Sequence, residues 1–113
     1  MIKLESKLWF EEKGKVFGDG PFDILKRIER LGSLRQAAAE IGMSYSQAWE
    51  LLNGLEDRLG FPLLERRVGG SSGGGSQLSE RGRELVQRYD CFRQEATSAL
   101  EKLFEKYFHD LDV

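Results

Sequence analysis

A chain of 113 residues is long enough for one domain with a modest core and too short for two. Hydrophobic residues at 40% and charged residues at 32% describe a globular protein rather than a disordered one, and no apolar run reaches the length of a membrane span. The single cysteine, Cys91, excludes a disulfide framework within the chain; the charge-studded start MIKLESKLWF is not that of a signal peptide, and a cytoplasmic home is expected.

The net charge of −2 speaks mildly against a polyanionic partner, but its distribution matters more than its sum. Residues 84–113 hold four basic and seven acidic groups, so the acidity sits near the C-terminus and residues 1–83 are close to balanced.

Residues 2–10 alternate, with Ile2, Leu4, Leu8 and Phe10 on one side and Lys3, Glu5 and Lys7 on the other, which predicts a half-buried strand. Glu12-Lys13-Gly14-Lys15 suits a hairpin turn and Val16-Phe17-Gly18 a short return strand. Pro21 sits just inside the start of a first helix, whose inward positions are Ile24, Leu25, Ile28 and Leu31 and whose stop is Gly32.

Two more helices follow at once. Ser33 with Gln36 is an S-x-x-Q capping signal, and Leu34, Ala37, Ala38 and Ile41 share one face. Gly42 stands where a helix end needs a left-handed residue. Ser44 with Gln47 repeats the cap, and Ala48, Leu51, Leu52, Leu55 and Leu59 form the next apolar stripe, ended by Gly60. Small Ala38, Gly42 in the bend and apolar residues at 48 and 51 are what a helix-turn-helix requires; an ordinary helical hairpin would share the periodicity and the caps.

After Gly60, the stretch Phe61 to Arg66 suits an edge strand. The run containing GGSSGGGS is too glycine-rich and polar to pack, and a short strand returns near Leu78. Two short strands joined by such a tip, directly after a helix-turn-helix, describe a wing. The expected fold is mainly α with small β: a winged helix-turn-helix with an N-terminal β-hairpin and a long C-terminal dimerisation helix. Residues 1–78 would be the DNA-binding domain, with a recognition helix at about 44–59 and the wing at about 62–78; residues 79–113 would be the dimerisation helix.

That last helix, capped by Ser79, carries Leu85, Tyr89, Phe92, Ala96, Leu100, Leu103 and Tyr107 at steps of three or four, the spacing of a coiled-coil seam. Its length and aromatic content favour pairing with the same helix of a second chain over covering its own core alone.

The stretch AAEIGMSYSQAWELLNGLEDRLGFPLLERR with QLSERG resembles the winged-helix module of LysR-type regulators, through Leu55-Glu56, Leu59-Gly60, Leu63-Leu64, Arg66 and Leu78-Ser79-x-x-Gly82. Met43-Ser44-Tyr45-x-x-Ala48-Trp49 and the glycine-rich wing are similar, more narrowly, to the DNA-binding domain of the molybdate-dependent ModE regulators. The resemblance implies transcriptional regulation by binding double-stranded DNA. It also marks two departures: Ser71-Ser72 stand where that family's wing carries a lysine, and Ser46 stands at a position that tends to be basic. Both departures imply fewer phosphate contacts. Full ModE proteins continue into a molybdate-binding region; no oxyanion site is recognisable in the sequence, so no cofactor and no metal are expected, and any signal would come from a separate sensor protein.

In a helix-turn-helix the start of the second helix enters the major groove. Opposite the core stripe lie Ser46, Trp49, Glu50 and Asn53, with Ser44 and Tyr45 at the helix entrance. Ser46 and Asn53 suit base edges, and Tyr45 or Trp49 suit thymine methyls or sugars. Trp49 equally suits a half-buried position between helix and wing. Arg35, beside Gln36, is placed for a phosphate, and Arg66, Arg67, Ser71 and Ser72 belong to the wing. Arg81 and Arg83 open the last helix; these arginines could instead pair with Glu65, Glu80 or Glu84. Catalysis is not expected: Cys91, expected to be packed beside the seam, and the only histidine, His109, lie too far apart on one helix to meet. A winged-helix protein–protein adaptor is the alternative, consistent with the acidic net charge.

Overall fold

The computed structural model describes residues 2–66 and 75–111. A hairpin pairs β1 (Trp9–Glu11) with β2 (Lys15–Gly18), Phe10 opposite Phe17, around a turn in which Lys13 and Gly14 both take positive φ. Helices α1 (Asp19–Leu31), α2 (Leu34–Glu40) and α3 (Tyr45–Leu59) follow, then the antiparallel pair β3 (Leu64–Arg66) and β4 (Ser76–Leu78), then α4 (Glu80–Phe108). This is a winged helix-turn-helix with a hairpin before it and a long helix after it.

The local chemistry explains the boundaries. The helices α1 and α3 end on left-handed Gly32 and Gly60. Ser33 Oγ accepts the Gln36 N–H, but only that half of the expected box forms at α2, whereas Ser44 and Gln47 make both halves at α3. The core joins Phe17 to Ile24, Leu25 and Ile28 of α1, Ala37 and Ala38 of α2, Ala48, Leu52 and Leu55 of α3, and Val86 and Tyr89 of α4.

Two sequence expectations change. Residues 2–8 are not in a strand: β1 begins only at Trp9, and Ile2 and Leu4 are exposed. Alternation specifies two faces, but a strand also needs a neighbour for its backbone, and β2 is four residues long. Tyr89 does not lie on an intermolecular seam. It is 2% exposed, with its ring centroid 5.1–5.9 Å from those of Phe22, Phe17, Phe10 and Phe92. Leu85 is likewise packed against the core, so the first turns of α4 cover their own domain.

What fixes α4 in place is a polar hub that the sequence does not announce. The Tyr89 hydroxyl donates to Asp19 Oδ1, and Arg93 Nε donates to the same oxygen at 3.0 Å. The Leu8 N–H donates to Asp19 Oδ2 at 3.0 Å, and Arg93 Nη2 reaches the Ser6 carbonyl at 2.9 Å. Burial pulls the Asp19 pKa upward, but the hydrogen bonds from Tyr89, Leu8 and Arg93, with the Arg93 charge, outweigh it and hold the carboxyl below its ordinary value. Burial, and then the Asp19 carboxylate, push the Tyr89 phenol well above its ordinary value.

Candidate nucleic-acid interface

The α2–α3 corner depends on a close approach and a sharp turn. Ala38 is buried with no bulk beyond its methyl group, and its carbonyl accepts the N–H groups of Ile41 and Met43 at 3.2 and 2.9 Å. Gly42, at φ 74°, makes the turn where a side chain would be strained. The Ser44–Gln47 box then starts α3 two residues later, each of its bonds 3.1 Å long.

From there the helix sorts its faces. Ala48, Leu52 and Leu55 are buried, and Leu51 and Leu59 pack at the margin. Tyr45, Ser46, Trp49 and Glu50 are exposed on the opposite side, Trp49 at 38%; Asn53, two turns on, is half-buried. The Arg35 guanidinium lies over the Tyr45 ring, 4.4 Å from its centroid, so a residue of α2 braces the aromatic at the entrance of α3. Ser44 is exposed with its Oγ committed to the cap, and Gln36 is exposed with its N–H on Ser33 Oγ.

The wing is tied to this helix by Glu56, whose Oε2 accepts the N–H groups of Leu63 at 2.6 Å and Leu64 at 3.3 Å. Leu64 pairs with Leu78, Glu65 with Gln77 and Arg66 with Ser76. At the base, Ser79 donates from Oγ to the Pro62 carbonyl at 2.6 Å and from its N–H to the Leu63 carbonyl at 2.8 Å. Arg67, Ser71 and Ser72, expected at the wing tip, lie outside the described residues. Arg81 stacks on Phe61 at 3.9 Å, and Arg83 donates to the Leu78 carbonyl at 3.2 Å, so both contact the wing's base.

Other charges brace the frame. Arg30 and Arg27 both donate to Glu40, at 2.6 and 2.9 Å, joining α1 to α2. Their hydrogen bonds, that of Arg30 first, hold the Glu40 carboxyl below its ordinary value. Arg58 Nε donates to the Lys15 carbonyl at 2.6 Å, tying the end of α3 to the hairpin.

On α4, Phe92, Leu103 and Tyr107 are exposed and Ala96 and Leu100 half-buried. Cys91 is exposed rather than packed, because it lies about 200° around the helix from buried Tyr89. Among the described residues no group of three or more His, Cys, Asp or Glu is placed to hold a metal ion, and no helix is long and apolar enough to cross a membrane.

A capped second helix with one face buried and the other open, followed by a braced two-stranded wing, defines the winged helix-turn-helix class. The profile of the bacterial regulatory helix-turn-helix proteins of the lysR family matches residues 22–83, and the chain belongs to that family of DNA-binding transcriptional regulators. It is similar to the molybdenum transport protein ModE of Azotobacter vinelandii, at 37% identity over 82% of this chain and 34% of that protein. It is 33% identical to the DNA-binding transcriptional dual regulator ModE of Escherichia coli K12, over 90% of this chain and 36% of the relative. The molybdenum-pterin-binding protein MopB of Rhodobacter capsulatus matches at 32%, over 85% and 35%. The chain thus spans about a third of the length of these relatives.

Proposed function

We propose that the chain binds duplex DNA as a homodimer, with α3 in the major groove and the glycine-rich wing, residues 62–78, following the backbone beside it. Tyr45, Ser46, Trp49 and Asn53 would read base edges; Arg35, Gln36, Ser44, Arg66, Arg67, Ser71 and Ser72 would anchor phosphates and set the register. Residues 1–78 carry the reading head in this account. Residues 79–113 pair two heads, through Phe92, Ala96, Leu100, Leu103 and Tyr107.

The observation that carries this reading is the division of α3: Ala48, Leu52 and Leu55 are spent on the core while Tyr45, Ser46 and Trp49 stay exposed. An ordinary helical hairpin has no need of exposed aromatics at a helix entrance, braced by an arginine from the preceding helix. The molybdenum and pterin ligands in the relatives' names remain properties of those proteins.

The test is duplex binding followed by fluorescence anisotropy across a salt series. Phosphate anchoring makes log affinity fall steeply with log salt, and Arg67→Ala should lower that slope by about 0.9. Binding that stays flat with salt, or is absent, would favour the protein–protein adaptor instead.

A further inference from the structure

Tyr45 is the first residue of α3 and stands at the entrance that the Ser44–Gln47 box sets. It is 36% exposed and is not part of the core cluster, so core packing does not select its ring orientation. Among the described residues its side chain makes no hydrogen bond and meets no other ring. Its one directional contact comes from the preceding helix, where the Arg35 guanidinium carbon lies 4.4 Å from the ring centroid.

Arg35 is set apart from the arginines that brace the frame. Arg27 and Arg30 share Glu40, Arg93 holds Asp19, and Arg58 is committed to the Lys15 carbonyl. Glu40, the one acid of α2, is thereby taken, and Arg35 has no carboxylate or carbonyl partner among the described residues. Its charge rests on an aromatic face instead. The backbone between the two side chains is pinned as well, since both helices are capped and the Ala38 carbonyl ties down the turn.

A ring with loose torsions gives up rotamer freedom when it touches DNA, whereas one already held over a cation gives up less and arrives at a defined angle. We infer that Arg35 is a positioning residue for Tyr45. It fixes the ring at the entrance of α3 and so sets how sharply the chain discriminates the base pair that Tyr45 meets, while its N–H groups stay available to a phosphate. The inference rests on the recognition-helix reading and deepens it: a residue counted among the backbone anchors also carries sequence information, through its neighbour.

The experiment is a double-mutant cycle, with the full chain titrated onto the duplex it selects from a random pool and onto single-base-pair variants of that duplex, across a salt series. Tyr45→Leu should abolish the preference at one base-pair position. Arg35→Ala should lower the same preference about threefold, the order of an exposed cation–π contact, and reduce the salt slope by about 0.9. In the Tyr45→Leu background Arg35→Ala should change the slope alone, because the two losses are coupled. Arg35→Lys should restore the slope but not the preference, since an ammonium has no planar face to stack. If Tyr45→Leu alters discrimination at no position, the base-reading role of Tyr45 falls and the inference with it. If Tyr45→Leu does alter it, but Arg35→Ala weakens all duplexes equally or Arg35→Lys restores everything, Arg35 is a phosphate anchor only. The inference then falls and the recognition-helix reading stands.

Discussion

At Gly82 a single hydrogen atom decides how closely α4 meets the wing. A Cβ there would lie 2.3 Å from the Leu63 carbonyl oxygen, which is backbone and already accepts the Ser79 N–H. Gly82→Ala is expected to cost about 3 kcal/mol through overpacking, read as a fall in urea midpoint. Gly20→Ala is the opposite case: nothing lies within 4 Å of its Cβ position, so removing backbone freedom from α1 should gain about 0.5–1 kcal/mol. Asp19 adds a pH signature. Its folded pKa lies below its unfolded one, so the stability it contributes is present above about pH 4 and disappears as pH falls through the lower folded value. Asp19→Asn should cost about 2 kcal/mol at neutral pH. Unfolding titrations should show the gap to wild type closing toward pH 2. Leu63 and Gly82 could be marked from sequence because they belong to a recognisable pattern. Asp19, Tyr89 and Arg93 could not, since partners seventy and more positions apart leave no local spacing to read.

Among the elements, those specified by neighbours were legible. Ser44, Gln47 and Gly60 bracket α3, and its apolar stripe pointed inward as the period requires. The same logic failed where an element needs a distant partner. The alternation of residues 2–8 did not make a strand, and the apolar period along α4 could not say which positions face the domain, such as Tyr89, and which leave it, such as Leu103. On α3, Tyr45, Ser46 and Trp49 are exposed, as the helical period predicts for positions opposite the apolar stripe, while Asn53 is half-buried. The Arg35–Tyr45 stack and the Glu56 brace did not follow from periodicity. Glu56→Ala would strand the N–H of fully buried Leu63 and is expected to cost about 2 kcal/mol. Faster amide exchange at Leu63 and Leu64, with α1 unchanged, would show that the loss is local to the wing. Ser44→Ala should remove about 1 kcal/mol by opening the cap of α3, and thermal unfolding checks it.

The molecule as a whole is elongated, 59 × 28 × 21 Å, because α4 continues past the domain that its first turns help to close. In sequence the acidic excess falls in residues 84–113, so that residues 1–83, which hold α3, are close to balanced despite the net charge of −2. In a symmetric pair the two α3 helices would meet successive major grooves about 34 Å apart, or a multiple of that distance. Trp49→Ala should weaken binding to a preferred duplex about tenfold or more while leaving the fold intact. The most direct test of the whole reading is selection of bound duplexes from a random pool by the full chain. The expected result is a two-fold symmetric sequence whose half-sites are spaced by whole helical turns and whose enrichment collapses for Trp49→Ala. No enrichment at all, or enrichment indifferent to that substitution, would contradict it.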